Sequence, residues 1–136
     1  MSTVLIVDDS VFIRKILREM LSKNGIETID EASDGFEAVQ IARKKSYDFI
    51  FMDIMMPKMD GIEAIRQIKP FCPNTKIVMC TSIEQKKVIE EALAADASDF
   101  VIKPFDSNSI RAVVEKYLGK RKTNVLEVSG AQPAFI

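Results

Sequence analysis

The chain has 136 residues, a formal net charge of −1 and 47% hydrophobic residues, the profile of one globular domain able to bury a core without metals or disulfides. That charge excludes broad electrostatic attraction to nucleic acid or to an anionic membrane surface, and no apolar run approaches the roughly 18 residues of a membrane span. The complete lack of histidine excludes Ser-His-Asp and Cys-His nucleophiles, His-ligated zinc and an internal phosphohistidine.

Met1-Ser2-Thr3 enters a strand pattern directly, without the basic and apolar regions of a signal peptide, so the cytoplasm is the expected location. Val4-Leu5-Ile6-Val7 is apolar and β-branched with no alternation, which reads as a parallel strand buried on both faces. It ends in Asp8-Asp9-Ser10. Ile13, Ile16, Leu17, Met20 and Leu21 then repeat at helical spacing, and Asn24-Gly25 supplies a left-handed stop. Glu27 to Ala32 forms a second, shorter strand. Asp34 and Glu37 read as a capping box that opens a helix through Ala38, Val39, Ile41 and Ala42.

Phe49-Ile50-Phe51-Met52-Asp53 is the central strand, four apolar residues running into a carboxylate before a loop marked by Pro57 and Gly61. Asp60 caps a helix through Ile62, Ile65 and Ile68, and Pro70 stops it. Pro73-Asn74 turns into the strand Lys76 to Thr81. Glu84 to Ala95 is helical, with Val88, Ile89, Ala92 and Leu93 on one face; Asp96 stands where Gly or Asn is preferred. Phe100-Val101-Ile102 is a fifth strand, ended by Lys103-Pro104. Asp106 or Ser107 caps the last helix, which carries Ile110, Val113, Val114, Tyr117 and Leu118 and ends at Gly119.

Residues 1–119 therefore form one domain, and 120–136, without periodicity, read as a mobile tail rather than a docking segment. The two cysteines, Cys72 and Cys80, match no zinc or redox spacing. Cys80, at the end of an apolar run, is expected to be a buried thiol in a reducing compartment. Five strand–helix alternations predict a parallel α/β sheet with right-handed crossovers and helices on both faces, in the flavodoxin-like order 2-1-3-4-5.

In such a sheet ligands bind at the C-terminal strand ends beside the switch point. Asp8 and Asp9 end the first strand, Asp53 the third, Thr81 the fourth and Lys103 the fifth. Each admits a plainer role. Asp9 and Thr81 can be helix caps, and Lys103 a solvated lysine. Together they suit a hard divalent cation, because three uncompensated carboxylates repel and oxygen-only ligands favour Mg2+. Cation, ammonium and hydroxyl are the parts that neutralise a transferring phosphoryl group, and Asp53 is the candidate nucleophile.

Four signatures carry a family resemblance: Leu5-Ile6-Val7-Asp8-Asp9-Ser10, Met52-Asp53-Ile54-Met55-Met56-Pro57-Lys58-Met59-Asp60-Gly61, Cys80-Thr81-Ser82 and Lys103-Pro104-Phe105. Over about Thr3 to Leu118 the chain resembles a response-regulator receiver domain of two-component signalling. The resemblance implies that Asp53 is the phosphoacceptor. Asp9 would bind Mg2+ directly, Asp8 through water and Met55 through its backbone carbonyl. Thr81 would be the switch hydroxyl, Lys103 the phosphoryl-pairing lysine, Lys103-Pro104 a cis peptide, and Phe100 the switch aromatic, against its plainer reading as a core residue. The donor would be a histidine kinase or a small phosphodonor.

The fourth helix, fifth strand and fifth helix would present the face that changes affinity for a protein target. A monomer is expected. The Asp8-Asp9-Ser10-Val11-Phe12-Ile13-Arg14 opening and single-domain length most resemble regulators of chemotaxis, which implies a motility target such as a flagellar switch. Asp96 departs from the family's usual Gly. Ile83, often polar in the family, would act with Met55 on access of hydrolytic water. The alternatives are a phosphorelay intermediate, a Mg2+-dependent aspartyl-phosphate phosphatase and a flavin-binding domain. The phosphatase pattern lacks its second acid after the first strand, and the flavin domain lacks its phosphate loop.

Overall fold

The computed structural model describes residues 2–82 and 86–119. Ile83 and the segment 120–136, singled out above, lie outside the described residues.

The chain alternates β1 (Thr3–Val7), α1 (Val11–Lys23), β2 (Thr28–Ala32), α2 (Gly35–Lys44), β3 (Phe49–Asp53), α3 (Gly61–Ile68), β4 (Lys76–Thr81), α4 (Lys86–Ala94), β5 (Asp99–Ile102) and α5 (Ser107–Leu118). All four strand pairings are parallel, in the order β2-β1-β3-β4-β5. The crossovers follow from the sequence: apolar runs too continuous for a half-exposed sheet alternate with helices that each carry one apolar stripe.

The three central strands, β1, β3 and β4, are buried on both faces, with successive side chains pointing opposite ways. Leu5, Val7, Ile50, Met52, Ile77 and Met79 pack with the stripes of α2 and α3 and with Ala92 of α4. Val4, Ile6, Phe49, Phe51, Val78 and Cys80 pack on the other face against Leu17 and Leu21 of α1 and Ile110, Val113 and Val114 of α5. Burial pushes the Cys80 thiol far above its ordinary range, as expected of a core cysteine.

The caps decide where each helix begins. Asp34, Asp60 and Asp106 accept the backbone N–H groups of Glu37, Glu63 and Ser109 at 2.8, 2.9 and 2.8 Å. Asp106, not Ser107, is thus the cap of α5. The box at α2 closes one residue early: Glu37 accepts from the Ser33 N–H at 2.7 Å. At α1 the cap is Ser10, whose hydroxyl oxygen accepts from Ile13 N–H at 3.2 Å. Asp9 is therefore released from capping.

One expectation is corrected, and one plainer alternative is set aside. On α4 only Ala92 is buried, while Leu93 of the same expected stripe is 46% exposed. Val88, Ala92 and Ala95 face the core, and Leu93, one position on, is turned about 100° away. Phe100 is no core residue either: it is 38% exposed on the edge strand β5. Asp96 does adopt the left-handed conformation its position demands, with φ 81°.

Candidate functional site at the C-terminal rim

The register places Asp53 opposite Cys80 on β4, with Thr81 one step further out, and Thr81 opposite Ile102 on β5. The rim residues anticipated from sequence therefore converge because the strand ends align. Asp8, Asp9 and Asp53 each offer a carboxylate oxygen, and these atoms lie within 4.8 Å of one another. Asp8 and Asp53 are buried, while Asp9 is exposed. Among the described residues the Asp9 carboxylate has no hydrogen-bond partner.

Lys103 closes the pocket from β5. Its Nζ stands 3.0 Å from Asp8 Oδ2 and 3.1 Å from Asp53 Oδ1. Its backbone N–H donates to the Thr81 carbonyl at 2.7 Å, and the bond to Pro104 is cis. Asp8 is engaged twice, since its Oδ1 also accepts the Ser10 N–H at 2.9 Å. Thr81 is 1% exposed, with its hydroxyl 3.3 Å from the Ser82 carbonyl oxygen.

Met55 follows in the bend after β3, side chain outward; among the described residues its carbonyl oxygen accepts no hydrogen bond. Gly61 backs this loop. A Cβ there would overlap the Asp53 carbonyl oxygen, so only glycine lets α3 start against the strand end.

The electrostatics are unbalanced. Burial and the neighbouring Asp8 charge push the Asp53 carboxyl above its ordinary value of 3.8, and the Lys103 ammonium only partly offsets them. Burial works against the charged form of Lys103 too, but its bond to Asp8 and the Asp53 charge raise its pKa above 10.5. Three acids thus share one ammonium. An all-oxygen donor set carrying surplus negative charge is what a hard divalent cation fits, so the residues present suit Mg2+.

The model of the response regulator receiver domain matches residues 4–115. The chain belongs to that family. The chemotaxis protein CheY of Bacillus subtilis is 39% identical over 115 residues, covering 85% of this chain and 96% of that one. CheY of Thermotoga maritima is 41% identical over 113 residues, 83% and 94% of the two chains. Among solved structures, a chain of the CheX-CheY-BeF3-Mg+2 complex from Borrelia burgdorferi superposes with a TM-score of 0.80 at 34% identity, covering 86% of this chain and 89% of that one. The family takes phosphate from histidine kinases, and membership implies a phosphoacceptor role for this receiver.

Two residues at the rim, Arg14 and Glu31, carry no site role in the sequence reading. Arg14 donates from Nε to Glu31 Oε1 at 2.7 Å and from Nη1 to the Asp8 carbonyl at 2.6 Å. Arg14 stands one turn after the cap Ser10, a spacing that places it beside the loop. Its partner is 17 positions away and emerges only when the β1–β2 register is known.

Among the described residues no helix is long and apolar enough to cross a membrane.

Proposed function

We propose that this receiver accepts a phosphoryl group on Asp53 from a partner's phosphohistidine in a Mg2+-dependent reaction, and that the modified form binds a downstream protein differently. The observation that supports this best is the position of Asp53: buried at a strand end, destabilised as an anion, and 3.1 Å from a lysine.

An Asp53 carboxylate oxygen attacks the donor phosphorus. The O–P bond forms as the N–P bond breaks, and the bonding pair stays on the imidazole nitrogen. Carboxylate attack needs no general base, in keeping with a chain that has no histidine. Lys103 balances charge on the phosphoryl oxygens, and the Thr81 hydroxyl turns towards them. Asp9, Asp53 and the Met55 carbonyl would hold Mg2+, with Asp8 acting through water; when bound, the ion supplies charge neutralisation. Hydrolysis of the acyl phosphate by water releases inorganic phosphate and restores Asp53. The chain thus promotes its own loading and unloading without being an enzyme towards other substrates.

The output face is assigned to α4, β5 and α5. Leu93 and Phe100 are exposed apolar side chains on two of these elements, and burial of Phe100 after phosphorylation would remodel that surface. The likeness to chemotaxis proteins supports a motility target such as a flagellar switch. In this reading the chain is a monomeric cytoplasmic switch, with residues 1–119 as the receiver and 120–136 as an appended tail.

One experiment tests the chemistry. Acetyl phosphate with Mg2+ is expected to add a single hydroxylamine-labile phosphate by intact-mass measurement, and Asp53→Asn or chelation of the metal to abolish it. Continued labelling of Asp53→Asn would remove the assignment.

A further inference from the structure

The cation site proposed above needs Asp9 to face inward, yet Asp9 is exposed and none of its side-chain neighbours holds it by a hydrogen bond among the described residues. Its direction is set by main chain, and that main chain is gripped from α1. The Asp8 N–H donates to the Ala32 carbonyl at 3.2 Å. The Asp8 carbonyl accepts from Arg14 Nη1 at 2.6 Å. Peptide units are planar, so fixing that carbonyl fixes the plane from which Asp9 departs.

Arg14 is itself immobilised. Its side chain is 14% exposed, and Nε bonds Glu31 Oε1 at 2.7 Å. The other Glu31 oxygen accepts from Arg18 Nε at 2.7 Å, while Arg18 Nη2 bonds the Ile29 carbonyl at 2.9 Å. Burial opposes the Glu31 anion, but the two guanidinium bonds outweigh it and hold its carboxyl below the ordinary value. Two arginines of α1 thus share one carboxylate on the edge strand β2, and the planar fork of Arg14 reaches both that carboxylate and the site loop.

We propose that Arg14 is a positioning residue for the cation: through the Asp8 carbonyl it orients the Asp8–Asp9 peptide, presenting the Asp9 carboxylate to the metal, with Glu31 as its anchor. The inference rests on the cation site proposed above. Charge and geometry predict opposite signs, which makes it decidable. As a nearby positive charge Arg14 repels a cation, so its removal would tighten binding. As a positioning group it supports the ligand, so its removal weakens binding.

The test is Mg2+ titration calorimetry on the unphosphorylated full chain, with thermal melts in parallel. Arg14→Met, which keeps the apolar stem, is expected to raise the Mg2+ Kd about tenfold, the cost typical of losing a group that orients a metal ligand. Glu31→Gln should raise it by a smaller factor and add little to Arg14→Met, because contacting residues act as one unit. If Arg14→Met does not fold, Arg14→Lys carries the test, since it keeps the charge and loses the planar fork that reaches both Glu31 and the Asp8 carbonyl, and an unchanged Kd there overturns the proposal. An unchanged or lower Kd in folded Arg14→Met or Glu31→Gln overturns the proposal, as does full additivity. Failure of the wild-type chain to bind Mg2+ at all would instead overturn the cation site itself.

Discussion

Asp53 is held where its charge is unwelcome, and this has a thermodynamic signature separate from any phosphorylation. Its folded-state pKa lies above the ordinary 3.8, so between that value and the raised one the folded chain binds more protons than the unfolded chain. Stability contributed by this group therefore falls as pH rises through the window and stays low at neutrality. Asp53→Asn removes the repelling charge and leaves Lys103 its bond to Asp8 at 3.0 Å. In chelator at pH 7 the variant is expected to melt at a higher temperature than the wild type. The difference should shrink as pH falls below 3.8, where the carboxyl is neutral in both states. Added Mg2+ should narrow it from the other side by stabilising the wild type. A variant that melts lower at pH 7 would mean that the pocket is balanced without a cation.

The helices show which details a sequence can and cannot carry. At α1, Asp9 and Ser10 are adjacent and both are good caps; only the extended backbone of Ser10, φ −94° and ψ 118°, with its bond to Ile13, decides between them. The consequence is measurable by urea denaturation. Ser10→Ala should cost about 1 kcal/mol, whereas Asp9→Asn should cost nothing, since Asp9 caps no helix. Equal losses would return Asp9 to a structural role. The strands β1, β3 and β4 are legible because burial on both faces demands unbroken apolar runs. The rim residues are legible because parallel strands bring their C-terminal ends to one edge. Contacts that depend on lateral register are not legible: the Arg14–Glu31 bond has no periodic signature. Nor are residues whose burial depends on what lies beyond the edge strand. Leu93 and Phe100 look like core by composition, and no strand of the described residues lies outside β5 to cover them.

At the scale of the whole molecule, the proposed function makes Lys103 the link between the chemistry and the α4–β5–α5 face. Its ammonium reaches Asp8 and Asp53, its N–H is tied to the Thr81 carbonyl, and it lies on the chain just beyond β5, three residues after Phe100. A phosphoryl group on Asp53 adds negative charge beside that ammonium, so Lys103 must exchange a carboxylate oxygen for a phosphoryl oxygen and pull on the end of β5. Under the same proposal Thr81 would be drawn the same way from β4. In this proposal phosphorylation would bias a two-state surface by a local charge event, with a coupling of about 1–3 kcal/mol in a typical switch. Lys103→Ala separates the steps. Labelling by acetyl phosphate should persist, because Asp53 and the other acids remain. The phosphorylation-dependent change in amide hydrogen exchange over α4, β5 and α5 should shrink towards zero. A change of wild-type size in labelled Lys103→Ala would show that the signal leaves the pocket through Thr81 and β4 alone.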